Sequence, residues 1–241
     1  NNKLVSVLMS CFNSENTVDD SIKSILNQTY NHIEFLIIDD GSTDNTYDVL
    51  SKFEKTNKHI KVYRNSKNLG LTKSLNMLID KSTGEYIARQ DADDISSKDR
   101  ILFQYESVEN QKLDFCSSRA TILNSQKKIP GFSYFLPTKW VMKYKNPFIH
   151  GTLFIKKTVL LDVGKYDESF YYAQDYKLMK DLISKDYRYE IIKNPLYQLN
   201  MKNNISTNKQ SEQNYYANCV RKNIKPQYKI WKFTLTLQKK I

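Results

Sequence analysis

An α/β fold with a mostly parallel sheet flanked by helices is what this sequence predicts, and three observations predict it. Short apolar runs alternate with segments of helical periodicity across the first 95 residues, each run breaks off at a polar or acidic loop, and the intervals are those of βαβ units. The 241 residues are 40 % hydrophobic and 26 % charged, enough to bury a core in one large domain or one and a half, so most of the chain is expected to be ordered.

The first strand is read over Leu4 to Met9, and the polar stretch Ser10-Cys11-Phe12-Asn13-Ser14-Glu15-Asn16 follows it. Val18, Ile22, Ile25 and Leu26 then fall at helix spacing, with Asn16 or Thr17 as N-cap. Phe35 to Ile38 is the second strand and stops at Asp39-Asp40-Gly41-Ser42; the next helix carries Val49, Leu50 and Phe53 on one face. Ile60 to Tyr63 is the third strand. Asn68-Leu69-Gly70 leads from it into a helix bearing Leu75, Leu78 and Ile79, which Gly84 is placed to end. The fourth strand, Glu85 to Ala88, delivers Arg89-Gln90-Asp91-Ala92-Asp93-Asp94.

Charge and cysteines narrow the setting. Thirty-seven Lys and Arg against twenty-six Asp and Glu leave +11, which points to a polyanionic neighbour such as membrane lipid, a phosphorylated substrate or nucleic acid. Cys11, Cys116 and Cys219 are odd in number and outside any CxxC pattern, against both a disulfide framework and a zinc site, so a reducing cytoplasm is expected. No basic-then-apolar leader and no apolar run of about 20 residues is read, so neither a signal peptide nor a spanning helix is expected.

Ligands in open α/β sheets lie off the carboxyl ends of the strands. That edge is formed here by Ser10 to Asn16, Asp39 to Ser42, Asn68 to Gly70 and Asp91 to Asp94. No GxGxxG or GxxxxGK[ST] occurs, so a nucleotide bound at this edge would need an ion to neutralise its phosphates. Like charges about 4 Å apart repel by about 1 kcal/mol in water and about 4 kcal/mol at a protein-like dielectric. Extended backbone would put Asp91 and Asp93 on one face with Asp94 turned away, and Mg²⁺ or Mn²⁺ shared with substrate phosphate would relieve the repulsion. The alternative is that Asp94 is a turn or N-cap residue before a helix starting near Ser97, with Asp91 and Asp93 merely solvated.

Val7-Leu8-Met9-Ser10-Cys11-Phe12-Asn13, Ile37-Ile38-Asp39-Asp40-Gly41-Ser42-Thr43-Asp44 and Asp91-Ala92-Asp93-Asp94 together resemble the ordered signature of family 2 glycosyltransferases with the GT-A fold. His150-Gly151-Thr152, Gly164-Lys165-Tyr166-Asp167 and Ala173-Gln174-Asp175-Tyr176-Lys177-Leu178 resemble the acceptor half of the same family, especially bacterial enzymes that build lipooligosaccharide, O-antigen or capsule. The resemblance runs from about residue 4 to about residue 207. It implies a nucleotide-binding half over about 1–95 and an acceptor-binding half over about 96–212; beyond it, composition marks a basic, aromatic tail over 213–241.

The resemblance also implies roles. Ser10, Phe12, Asn13 and Glu15 would border the nucleoside; Asp40 would hydrogen-bond the base, with Asp39 a structural alternative. Asp91 would approach the ribose or sugar, Ala92 would allow close backbone approach, Asp93 would bind the metal, and Lys73 would contact the donor. The implied donor is a UDP-sugar and the acceptor a glycan, at the cytoplasmic face of a bacterial inner membrane. Asp175 would be the base that deprotonates the incoming hydroxyl, one carboxylate opposite the leaving group sufficing for inversion. Its bland alternative is an acid favoured at a helix N-terminus. His150 is a further candidate for acceptor contact.

Some positions depart from the family pattern. Ser10 stands where many members have Pro, Gln174 where most have Glu, and Asn200 where many have a metal-binding His. Two other classes compete. A DxDx[TV] phosphatase would need Thr or Val where Ile95 stands, and a nucleic-acid-binding module would explain +11 but lacks any RNP, zinc-finger or helix-turn-helix signature. In the tail, Arg221, Lys222, Lys225, Lys229, Lys232, Lys239 and Lys240 accompany Tyr228, Trp231, Phe233 and Leu235, a composition suited to an anionic membrane surface or to packing on the domain.

Overall fold

The computed structural model describes residues 2–202 and 209–227. The order in the first half is β1 (Val5–Cys11), α1 (Val18–Leu26), β2 (Ile33–Asp39), α2 (Thr46–Thr56), β3 (Ile60–Arg64), α3 (Leu71–Lys81) and β4 (Tyr86–Arg89). Then follow β5 (Ile95–Ser96), α4 (Arg100–Asn110), β6 (Phe115–Ile122), β7 (Lys128–Ile129), α5 (Thr138–Val141), β8 (Phe154–Lys156), α6 (Lys157–Asp162), α7 (Gln174–Ser184), β9 (Tyr189–Leu199) and α8 (Gln210–Lys222).

Among the described residues these strands form one sheet in the order β3-β2-β1-β4-β8-β6-β9-β5, with β7 on the edge of β6. Strands β3, β2, β1 and β4 run parallel, as the alternation predicts, while β8 pairs antiparallel to both β4 and β6 and makes the second half mixed. The period of two sorts the side chains. Val7, Met9, Phe35, Ile37 and Ala88 join Ile22 of α1, Leu50 of α2 and Ile101 of α4 on one face. Leu8, Leu36, Ile38 and Ile87 join Leu75 and Leu78 of α3, Leu178 of α7 and Tyr216 of α8 on the other. Both faces are covered, which is why the strands read as unbroken apolar runs.

Three local expectations are corrected. Thr17 stands at the start of α1, but its side chain makes no capping bond. Gly84 does not end α3; Ser82 is the C-cap, and the Gly84 N–H donates to Ser6 Oγ at 2.9 Å, where a Cβ would sit 2.6 Å from that oxygen. Its small size serves a close chain crossing rather than a turn. The helix expected near Ser97 begins instead at Arg100.

The boundary expected between 212 and 213 falls inside α8, whose Tyr216, Cys219 and Val220 are buried in the core. Ending the chain at Gln213 is therefore expected to destabilise the domain by several kcal/mol, since each fully buried side chain of this kind contributes about 1.5–3 kcal/mol. Thermal unfolding of the truncated and full chains measures it, and equal melting temperatures would show that α8 contributes nothing. Tyr228, Lys229, Trp231, Lys232, Phe233, Leu235, Lys239 and Lys240 of the expected tail lie outside the described residues. Cys11, Cys116 and Cys219 are free and buried. No helix among the described residues is long and apolar enough to cross a membrane.

Candidate active site

The loops after β1 and β2 are laced together. The Thr43 N–H donates to Asn13 Oδ1 at 2.9 Å, the Asn13 N–H to Ser42 Oγ at 3.0 Å, and Glu15 Oε2 accepts from the Asn45 N–H and Nδ2 at 2.9 and 2.8 Å. Asn13 adopts φ +50°, a left-handed conformation that Asn tolerates better than most residues. Ser10, half-buried, and the exposed Phe12 flank this clasp at the carboxyl end of β1.

Asp40 is buried and accepts three hydrogen bonds, from Asn65 Nδ2 at 2.7 Å, the Leu69 N–H at 2.9 Å and the Gly70 N–H at 2.8 Å. Most of its acceptor capacity thus shapes the loop between β3 and α3. The equally buried Asp39 accepts from the Ser42 N–H at 3.0 Å and pairs with Arg64 Nε at 3.0 Å. No hydrogen bond reaches Asp39 Oδ2 among the described residues, so the charge of Arg64 alone holds it. Arg64 also stacks on Tyr47, 4.2 Å from the ring centre. An open cleft of about 450 Å³ lies here, lined by Gly41, Ser42, Thr43, Arg64, Asn65 and Ser66. Lys73, exposed on α3, has no ion-pair partner among the described residues, and no bond joins it to the other candidates.

At the end of β4 the backbone is not extended. Residues 91–94 form a turn, the Asp94 N–H reaching the Asp91 carbonyl at 3.4 Å. Asp94, expected to face away, is the most buried of the three acids, and its Oδ1 accepts from the Asn200 N–H at 2.7 Å. The turn has a physical cause in Gln90, fully buried, whose Nε2 donates to the Asp91 carbonyl at 3.1 Å, the Asp94 carbonyl at 2.9 Å and Ser21 Oγ at 2.9 Å. The turn also delivers β5 to its antiparallel pairing with β9.

Asp91 is ion-paired at 2.5 Å with Arg89, a guanidinium only 1 % exposed, and its N–H donates to Tyr197 Oη at 3.0 Å. Ala92 is buried. Asp93 receives no hydrogen bond from another described residue; burial first, and then the charge of Asp91, push its pKa up to about 6. Burial and the charges of Asp91 and Asp93 raise Asp94 further, to about 8.

Asp175 lies in the first turn of α7 but does not cap it. The cap position is Ala173, at φ +53°, and Asp175 Oδ2 instead accepts from Asn146 Nδ2 at 2.8 Å. His150 Nε2 lies 2.7 Å from Tyr166 Oη. Burial and then the Arg89 charge push the His150 pKa down to about 4, while Asp91 and Asp175 pull it up. One imidazole therefore feels the acids of both halves, and so does the Tyr166 phenol. Gly151 closes the assembly: a Cβ there would sit 2.6 Å from Tyr197 Oη and 2.8 Å from Asp91 Oδ2, so no side chain fits.

The structure thus gathers Asp91, Asp93, His150 and Asp175 around one site and adds Arg89, Gln90, Arg100, Asn146, Tyr166 and Tyr197, which sequence reasoning passed over. Arg100 is fully buried, donating to Gln90 Oε1 at 3.0 Å, Ser96 Oγ at 2.7 Å and the Arg89 carbonyl at 2.5 Å. Nothing in its sequence context distinguishes it from a solvated helix-start arginine. Arg89, placed two residues before an acidic turn, was the one with a signal. No group of three or more His, Cys, Asp or Glu is arranged to hold a metal among the described residues. The crowded Asp93 carboxyl, bonded by no other described residue, nevertheless fits a cation that takes its remaining ligands from a bound phosphate.

A Rossmann-like parallel half joined through β8 to a mixed second half is the architecture of the GT-A glycosyltransferase class. The chain belongs to glycosyl transferase family 2, whose model matches residues 6–164. It is 32 % identical over 193 residues to an uncharacterized glycosyltransferase of Haemophilus influenzae, covering 74 % of this chain and 60 % of that protein. The chain therefore spans about three fifths of that relative. Its fold is similar to that of S. aureus TarS 1-349 in complex with UDP, with a TM-score of 0.72 at 19 % identity over 90 % of this chain and 64 % of the other. It is also similar to a mannosyltransferase from Pyrobaculum calidifontis in complex with GDP-Man and Mn²⁺, with a TM-score of 0.74 at 17 % identity over 92 % and 65 %. The family match leaves the phosphatase and nucleic-acid alternatives without support.

Proposed function

We propose that this protein transfers a sugar from a nucleotide-sugar, a UDP-sugar in our reading, to a glycan acceptor with inversion at the anomeric carbon. The observation that carries this is the Asp93 carboxyl, bonded by no other described residue and crowded by Asp91 at a strand-end turn whose neighbour His150 also feels Asp175. Residues 1–95 act as the nucleotide half. Ser10, Phe12, Asn13 and Glu15 border the cleft beside Gly41 to Thr43, Asp40 contributes its remaining acceptor direction to the base, and Lys73 is the nearby donor-side cation. Asp91 and Ala92 meet the ribose or sugar. Mn²⁺ or Mg²⁺, held by Asp93, would stabilise charge on the departing diphosphate.

Residues 96–212 act as the acceptor half, with Asp175 as base. Asn146 fixes Oδ2, so Oδ1 is the atom left to take the proton of the attacking hydroxyl. His150 and Tyr166 form the wall beside it. We assign the enzyme to bacterial surface polysaccharide or lipooligosaccharide synthesis at the cytoplasmic face of the inner membrane, in keeping with three free, buried cysteines. Whether a hexose or an N-acetylhexosamine moves is decided by incubating the protein with UDP- and GDP-sugars, with and without Mn²⁺, and measuring release of the nucleoside diphosphate. Turnover of a UDP-sugar that needs Mn²⁺ is expected; release of phosphate from a monoester with no donor turnover would overturn the proposal.

A further inference from the structure

Between Asp114 and Asp162 the chain carries no Asp or Glu, while eight Lys and Arg lie in that interval. Within it, Phe132, Phe135, Trp140 and Tyr144 expose 78, 69, 49 and 60 % of their area. Trp140 and Tyr144 lean together one helical turn apart, ring centres at 5.1 Å. Lys127, Lys128, Lys143 and Lys145 are exposed and have no ion-pair partner among the described residues, whereas Lys139 pairs with Asp186 at 2.8 Å. Arg221 Nη1 donates to the Tyr144 carbonyl at 3.1 Å. That bond brings the end of α8, with exposed Lys222, Ile224 and Lys225, to the border of the same surface.

We propose that the surface built by residues 131–145 docks on an anionic phospholipid bilayer. Single exposed aromatics need no explanation, but four in one short stretch with no acid of its own, met by Asp186 at Lys139, make an aromatic and basic stretch. A bilayer interface takes both components at once, rings at headgroup depth and ammonium groups among lipid phosphates. A glycan stacked on Trp140 and Tyr144 would leave the lysines unexplained, and a second copy of this chain would bring like charge against like. The place of the patch matters too, because Asn146, two residues beyond Tyr144, holds Asp175. Docking would therefore set the acceptor side of the site next to lipid. That consequence rests on the transfer reading above; the docking does not, and it is tested without donor or acceptor.

The chain has two tryptophans, so the full-length Trp231→Phe protein reports Trp140 alone. On adding phosphatidylcholine vesicles containing phosphatidylglycerol, its emission is expected to shift to the blue and to be quenched by brominated acyl chains. Lys143→Gln with Lys145→Gln in that background should lower the vesicle partition coefficient by roughly tenfold or more, as should about 0.5 M salt. Phe132→Ser with Phe135→Ser should lower it on neutral and anionic vesicles alike, with circular dichroism and melting temperature unchanged. Co-sedimentation with an unmoved Trp140 emission would overturn the proposal and assign binding to another surface. So would equal partition into neutral and anionic vesicles, a vesicle-free blue shift caused by a soluble glycan, or a dimer in sedimentation that the Phe132→Ser, Phe135→Ser protein dissolves.

Discussion

Asp175→Asn is expected to leave the fold, the UDP affinity and the metal response intact while transfer falls by roughly 10² to 10⁴, the usual contribution of a general base. The amide keeps the size of the carboxylate and can still accept from Asn146, so the 2.8 Å contact that positions the group survives. What it loses is the ability to take a proton at neutral pH. The competing idea, an acid that merely favours the start of α7, predicts otherwise. Its effect would be limited to a helix-dipole contribution of about 0.3–1 kcal/mol, read as a small change in melting temperature. Ala173, not Asp175, occupies the cap position, so capping cannot account for the residue. Transfer rate and donor affinity measured on one preparation separate the two ideas. Near-normal turnover would remove Asp175 from the mechanism and direct attention to Asp167 and Glu168 in the preceding loop.

Much of this was legible from the chain because the parallel half is buried on both faces. Runs such as Phe35 to Ile38 can then be uniformly apolar, and their ends are marked by the first acid or polar residue. Asp91 and Asp93 are singled out by the same logic, as acids directly after a strand, whereas Asp175 is singled out only by the resemblance of its motif to the acceptor half of the family. What stayed hidden depends on contacts between distant segments. Gln90 reads as a neutral polar residue, yet its amide ties down the turn that carries the acids. Asp94 reads as facing water because an extended strand would put it there, and only the turn and the N–H of Asn200, 106 residues on, make it a buried acceptor. Asn13 and Glu15 were expected at the nucleoside; the structure shows them first as the clasp between two loops, a use of polar side chains that no local spacing announces. Gly84 misled for the converse reason: a glycine after a helix suggests a cap, but this one is needed where chain passes close to Ser6.

Asp93→Ala is expected to abolish transfer and Mn²⁺-dependent UDP binding in a protein that stays folded. The carboxyl receives no hydrogen bond from another described residue, so its removal orphans no donor of a neighbour, and it relieves repulsion from Asp91. The melting temperature of the metal-free variant should therefore equal or exceed that of the wild type near neutral pH. The pH dependence has a definite sign. Asp93 titrates near 6 in the fold against 3.8 for the free side chain, so the stability linked to its proton is fully present below about pH 4 and is lost as pH rises through 6. Above that value the ionised carboxyl is a cost to the metal-free fold, and a bound cation offsets it. Below it, proton and cation compete for the same oxygens. The increase in melting temperature on adding Mn²⁺ with UDP should thus be larger near pH 7.5 than near pH 5 in the wild type, and should vanish at both in Asp93→Ala. An equal Mn²⁺ response in the two proteins, or full wild-type turnover in excess EDTA, would exclude Asp93 as the metal ligand and leave the acidic turn as a structural device held by Gln90 and Arg89.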